Sequence, residues 1–128
     1  MPGELPKPTE AELEILTVLW SRGPSTVREV HEIVSLRKAT QYTTVLKLIQ
    51  IMTAKGLVRR DEKQRAHVCE AARPREWTQR QIAGDLLERA FNGSTRSLLL
   101  GALSARKASK KELAELRRLL DEYEKGTR

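Results

Sequence analysis

The sequence predicts a mainly α-helical protein with one small β-hairpin, divided into an N-terminal part at residues 1–71 and a helical C-terminal part at residues 72–128. Two patterns support this class. Apolar side chains recur at helical spacing through most of the 128 residues, whereas residues 57–71 alternate as strands do. Apolar residues make up 39% of the chain and aromatic residues 4%, so the predicted core is aliphatic.

The first two helices are marked by local signals at their ends. Thr9 and Glu12 form a T-x-x-E capping box, and "RGPS" at 22–25 ends the helix that follows. Ser25 is predicted to cap a second, short helix. The apolar side of that helix consists of Val27, Val30, Ile33 and Val34.

The third helix, which ends before Gly56, has two contrasting faces. At about 100° per residue, the side that must face the core consists of Val45, Leu48, Ile49 and Met52. The opposite side carries Thr43, Lys47, Gln50 and Ala54, with Thr44 on its flank. This outward face has no acidic residue, although Glu–Lys pairs are usual on a solvated helix. Its hydroxyls, amide and cation suit the edges of bases in a major groove.

The hairpin completes a recognisable arrangement. Two strand-like runs, 57–61 and 66–71, flank a charged tip at 62–65. Three helices followed by such a hairpin indicate a winged helix-turn-helix, whose third helix enters the major groove. Of the net charge of +7, residues 37–65 contribute +6, from eight basic and two acidic side chains. The predicted partner is therefore double-stranded DNA.

The predicted DNA interface divides by chemistry. Base edges would be read by Thr43, Thr44, Lys47 and Gln50. The DNA backbone would be contacted by Ser25, Thr26, Arg28, Arg37, Lys38, Tyr42, Lys63 and Arg65. The alternative is a winged-helix module that binds protein, which Leu46 and Ile51 on the flanks of the third helix favour and the positive charge opposes.

The C-terminal part contains more leucine than so short a segment can bury by itself. The excess predicts burial against a second copy of the chain, through Leu86, Phe91, Leu99, Leu103, Leu113, Leu116 and Leu120. The alternative is that this part packs back onto the N-terminal domain.

Other classes of function find little support in the residues. The chain has no nucleophile elbow, glycine-rich phosphate loop or H-E-x-x-H, so we expect no enzyme and no cofactor. His31, His67 and Cys69 are too few for a structural zinc site, and Cys69 is predicted to be a small, half-buried apolar residue. The absence of a membrane-length apolar run and of a secretion signal, with a lone cysteine, predicts a cytoplasmic, nucleoid-associated protein.

Several segments together resemble one family. "TEAELEILTVLWSRGPSTVREVHEIV", followed by "YTTVLKLIQIMTAKGLVRR", resembles the penicillinase-repressor family of bacterial transcriptional regulators, with its BlaI, MecI and CopY branches. The similarity extends over roughly residues 9 to 123. It implies a homodimeric repressor that binds an inverted-repeat operator. Two wing positions depart from the family pattern, because Gln64 replaces a usual Gly and Cys69 stands near a usual aromatic.

The resemblance also raises the question of how repression is relieved. In the antibiotic-resistance branch, a membrane sensor triggers proteolysis at an Asn-Phe bond in the C-terminal region. Here Leu100-Gly101-Ala102 aligns with that place, and Asn92, the chain's only asparagine, follows a phenylalanine instead of preceding one. We expect that an Asn-Phe-directed protease does not cut this chain. Release would come from a protease or sensor of another specificity, or from a change that unseats the C-terminal dimer contacts.

Overall fold

The computed structural model describes residues 7–61 and 67–126. Within these residues it contains six helices and three strands. In chain order they are α1 (Glu10–Arg22), β1 (Ser25–Thr26), α2 (Val27–Arg37), α3 (Tyr42–Lys55), β2 (Val58–Asp61), β3 (Val68–Ala71), α4 (Arg75–Arg89), α5 (Thr95–Ala105) and α6 (Lys110–Lys125). The predicted class, mainly α-helical with a small hairpin, is confirmed.

The predicted capping box starts α1 and does more than cap it. The Thr9 hydroxyl accepts the Glu12 N–H at 3.2 Å, and the Glu12 carboxylate accepts the Thr9 N–H at 2.9 Å. Glu12 is only 2% exposed, and its two oxygens also accept from the Lys55 ammonium at 2.8 and 3.1 Å. Since Lys55 lies in the last turn of α3, this ion pair ties the beginning of α1 to the end of α3.

The start of α2 corrects the sequence prediction. Thr26 caps the helix in a capping box with Glu29, so the prediction that Ser25 is the cap is wrong. Ser25 is buried in β1, opposite Cys69, and its hydroxyl donates to the Gly23 carbonyl at 2.8 Å. A T-x-x-E box satisfies two helix N–H groups reciprocally, which a lone serine cannot do.

The hairpin belongs to a three-stranded antiparallel sheet of order β1-β3-β2. β2 pairs with β3 from Val58 opposite Ala71 to Asp61 opposite Val68. The third strand, β1, was not predicted because a segment of two residues becomes a strand only by pairing with β3. The predicted tip at 62–65 lies outside the described residues.

The first three helices and the small sheet with its hairpin form the winged domain, and its core lies between them. Val45, Ile49 and Met52 of α3 are fully buried, as their spacing predicts, and Leu48 is partly buried against them. Cys69 is also fully buried, which corrects the prediction of a half-buried residue. Gly56 ends α3 in the left-handed conformation (φ 85°, ψ 11°), which a residue without a side chain adopts at little cost.

The described chain forms two compact units, one extending to Ala83 and the other beginning at Gly84. The first unit includes the beginning of α4, which is held by a hydrogen bond from the Trp20 indole to the Arg73 carbonyl (2.9 Å) and by another from Arg75 to the Ser21 hydroxyl (3.1 Å). No helix among residues 7–61 and 67–126 is long and apolar enough to cross a membrane.

In the second unit, Ser94 and Ser109 cap α5 and α6 by accepting the N–H groups of Ser97 and Glu112. The turn before α5 contains Asn92 and Gly93, both with positive φ. Neither α5 nor α6 has a single buried residue in this chain. The unit therefore leaves much of its apolar surface uncovered.

Candidate nucleic-acid interface

The outward face of α3 presents the groups that the sequence predicts. Thr43, Thr44, Lys47 and Gln50 are all exposed, while Val45, Ile49 and Met52 on the opposite side of the same helix are buried. The first turn of α3 contains no acidic residue. A helix held by its core side and exposing donors, acceptors and one cation along the other is geometrically suited to a groove of DNA.

Tyr42 stands at the start of α3 and is held in position from the side. Its ring lies edge-on to the His31 ring, with centroids 5.7 Å apart. Nε2 of His31 is 2.6 Å from the Thr40 carbonyl oxygen, so the imidazole links α2 to the turn before α3. Arg37, the last residue of α2, and Lys38, which follows it, are also exposed. The structure thus places these three residues, which the sequence predicts to contact the DNA backbone, around the start of α3.

At the start of α2, Arg28 is exposed and Thr26 is half-buried. Glu29 is bound there by the Thr26 N–H and by Arg22, whose Nη2 is 2.8 Å from the carboxylate. The Thr26 backbone hydrogen bond, followed by the charge of Arg22, holds the pKa of Glu29 below its usual value. Ser25 has its side chain buried and its hydroxyl bonded, so the prediction that it contacts DNA is corrected.

The hairpin contributes two residues, Arg60 and His67, that were not among the DNA contacts predicted from the sequence. The predicted phosphate contacts Lys63 and Arg65 lie outside the described residues. Beside the described part of the hairpin, a cleft of about 390 Å³ is lined by Thr26, Val27, Arg28, Tyr42, Leu46, Arg60 and His67. Strand alternation is a signal that could have identified Arg60, because it places Arg60 on the same face as the buried Val58.

His67 and Cys69, which are two residues apart in the sequence, do not share a site. The His67 ring is exposed, and its Nδ1 lies 3.1 Å from a terminal guanidinium nitrogen of Arg60. Burial raises the pKa of the Cys69 thiol, although the charge of Arg60 opposes the effect. Among the described residues, no cluster of three or more His, Cys, Asp or Glu side chains could hold a metal ion.

The predicted dimerisation residues keep apolar surface accessible. Leu86, Leu99, Leu103 and Leu120 are exposed, with Leu120 at 59%, whereas Phe91, Leu113 and Leu116 are half-buried. The structure adds Leu100, Leu119 and Tyr123 to the exposed set. On α6, Leu119 and Tyr123 recur at helical spacing with the predicted Leu116 and Leu120, so this signal was present in the sequence.

Comparison with known proteins identifies the family. The penicillinase repressor family model matches residues 8–122. The chain is 34% identical over 118 residues to the transcriptional regulator BlaI from two strains of Mycobacterium tuberculosis, which covers 91% of this chain and 85% of that protein. A solved structure, transcriptional regulator Tm0710 from Thermotoga maritima, is 22% identical with a TM-score of 0.47 and covers 94% of this chain and 79% of that one. The chain belongs to the penicillinase repressor family and is a DNA-binding transcriptional repressor, not an enzyme.

Proposed function

We propose that this repressor acts as a homodimer on an inverted-repeat operator, with α3 of each protomer in a major groove. The observation that carries the proposal is the outward face of α3, which is exposed and free of carboxylates along Thr43, Thr44, Lys47 and Gln50. Hydroxyl, amide and ammonium groups can each pair with a base edge, whereas a carboxylate there would be repelled by phosphates. Because a repressor acts on DNA, we place its action in the cytoplasm, on the nucleoid.

The DNA backbone would be held by residues around the start of that helix. Arg37, Lys38 and Tyr42 are exposed around the α2–α3 turn, and Thr26 and Arg28, at the start of α2, line one cleft together with Tyr42. The Thr26 hydroxyl already accepts the Glu29 N–H, but it retains its own proton to donate to a phosphate. The wing-tip residues Lys63 and Arg65 complete the proposed set. Such contacts set the register of the helix on the duplex and carry no sequence information themselves.

Dimerisation would be the task of the second unit. Leucines of α4, α5 and α6 remain exposed there, including Leu86, Leu103 and Leu120. Covering such side chains contributes about 25 cal/mol for each Å² of apolar surface removed from water. A second copy presents the same apolar surface, and a two-fold arrangement covers both at once. An inverted repeat in the operator would mirror that symmetry.

Relief of repression would not use an Asn-Phe-directed protease. Besides lacking the dipeptide, the segment Leu100-Gly101-Ala102 lies inside α5, where its backbone is helical. Proteolysis favours chain that is free of secondary structure, so a protease must first unwind α5. Gly101 weakens the helix, yet Phe91 packs over it, with ring carbons 3.4 and 3.6 Å from the position of a Cβ at Gly101. Another protease or sensor would act on the contacts of the second unit.

The test is selection of bound fragments from a random DNA pool by the purified full chain. We expect enrichment of an inverted repeat with half-sites about one helical turn, or a multiple of it, apart. Lys47→Glu should abolish the enrichment. Lys110→Glu, the same charge change at an exposed position in α6, is the matched control and should preserve it. Selection of no common motif, or equal loss in both variants, would refute the proposal.

A further inference from the structure

The cleft beside the hairpin is positively charged on its described sides. It lies where the start of α2, α3 and the two strands meet, and its charged or titratable lining residues are Arg28, Tyr42, Arg60 and His67. None of its lining residues within the described chain is acidic. Elsewhere on the hairpin, Glu70 pairs with Arg59 at 3.5 Å, and Asp61 has an interaction partner of its own. The cleft therefore suits an anion.

Arg60 is held in this cleft with part of its hydrogen-bonding capacity unused. Its Nε is buried and has no hydrogen-bond partner among the described residues. Its Nη2 lies 3.1 Å from Nδ1 of His67, across the hairpin. An unsatisfied buried donor costs free energy, which an incoming acceptor would recover once the guanidinium turns toward it.

The chemistry of the two groups sets the direction of the bond between them. A guanidinium can only donate, so Nδ1 of His67 is the acceptor in this bond. A protonated imidazole has no acceptor and carries a second positive charge beside the first. Protonation therefore breaks the Arg60–His67 bond and frees both groups to donate to something else.

We propose that Arg60 and His67 form a phosphate-binding subsite of the DNA interface and that His67 takes up one proton from solvent when a DNA phosphate enters the cleft. The phosphate accepts from both cations and so removes their mutual repulsion. The proposal rests on the proposed function, in that α3 faces the duplex. Neither residue belongs to the contact set predicted from the sequence. The signature of the subsite is DNA affinity that rises as pH falls, since the complex binds more protons than the free components.

The experiment measures the Kd of the full chain for a fluorescent duplex of random sequence, about 30 base pairs long, at pH 6 and pH 8 and low salt. A random sequence serves because phosphate contacts do not depend on bases. We expect wild type to bind on the order of fivefold tighter at pH 6, because imidazoles titrate within this range. His67→Gln keeps an acceptor for Arg60 but cannot gain a charge, so it should bind as wild type does at pH 8, at both pH values. His67→Lys should bind tightly at both.

His31→Gln is the matched control, because His31 is the only other histidine of the chain and does not itself line the cleft. Since the His31 ring contacts Tyr42, which does line the cleft, the control is judged by its response to pH and not by its absolute affinity. It should retain the wild-type response to pH. His67 is exposed, so its replacement leaves the core intact. A response to pH that survives in His67→Gln, or is lost only in His31→Gln, overturns the proposal, as does equal wild-type affinity at both pH values. Failure to select an operator while this response persists would instead count against the proposed function alone.

Discussion

The ion pair between Glu12 and Lys55 allows a prediction whose size depends on which partner is removed. The Glu12 side chain is 2% exposed, whereas that of Lys55 is 29% exposed. Lys55→Met removes the ammonium donor from the buried Glu12 carboxylate, which still accepts a hydrogen bond from the Thr9 N–H. Removing one partner of a fully buried pair costs about 3–5 kcal/mol, and since Lys55 is partly hydrated we expect about 2–3 kcal/mol here.

Removing the charge from the other side should cost less. Glu12→Gln keeps an oxygen that accepts the Thr9 N–H, and the Lys55 ammonium, being partly exposed, can turn into solvent. We expect a loss of about 1 kcal/mol, the net value of an ordinary hydrogen bond. The two variants therefore break the same pair with unequal losses.

The stabilities of the Glu12→Gln and Lys55→Met variants should also depend differently on pH. Burial raises the pKa of the Glu12 carboxyl, but the hydrogen bond from Lys55 and the one from the Thr9 backbone outweigh burial and lower it below its usual value. A pKa lower in the folded state gives a stabilisation that is present above the unfolded pKa, about 4.3, and is lost as pH falls through the folded pKa. The difference in stability between wild type and Glu12→Gln should thus shrink below about pH 4. The loss in free energy of unfolding caused by Lys55→Met should already become smaller at a higher pH, because the unpaired Glu12 carboxylate protonates more readily.

The assay is urea unfolding followed by far-UV circular dichroism, at one fixed protein concentration because self-association would shift the midpoint. The double variant Glu12→Gln with Lys55→Met completes a cycle and should show a coupling of about 1–2 kcal/mol. A loss in Glu12→Gln as large as that in Lys55→Met, or strictly additive losses, would show that the pair does not act as described.

Three further predictions follow from the interface and the second unit. Lys47→Ala should relax base preference at one position of each half-site, at a cost of about 1–3 kcal/mol. Lys63→Ala should weaken binding to all sequences and reduce the salt slope by about one. Titrations of each variant with operator and with random duplex check this, and an equal loss of affinity for the two duplexes in both variants would contradict it. Leu120→Glu should give monomers in sedimentation velocity. The control Leu36→Glu, at an 83% exposed leucine of the winged domain, should leave the sedimentation coefficient unchanged. An unchanged sedimentation coefficient for Leu120→Glu would favour the alternative that the C-terminal part packs onto its own chain. Incubation with lysates of β-lactam-treated and untreated source cells, followed by fragment masses, should show no drug-dependent cut at the Gly101–Ala102 bond, and such a cut would restore the resistance-type switch.

The helices and the recognition face could be predicted because their causes lie close together in the sequence. A capping box acts over three residues, as at Thr9 and Glu12, and the left-handed Gly56 follows directly from the end of its helix. The burial of Val45 and Ile49 follows from a helical period, and the exposed position of Lys47 follows from theirs. The family resemblance was also visible in the sequence, and the match over residues 8–122 confirms it.

Only the tertiary structure decided which distant residues meet. Ser25 became a buried strand residue because β3 offers its backbone a partner, and this pairing withdraws it from solvent. Glu12 could be recognised as a capping residue, but its ion pair with a lysine 43 positions away could not. Arg60 and His67 likewise meet only when the hairpin closes. Local propensity acts over a few residues, whereas burial and charge pairing depend on how whole elements pack, so these contacts required the folded chain.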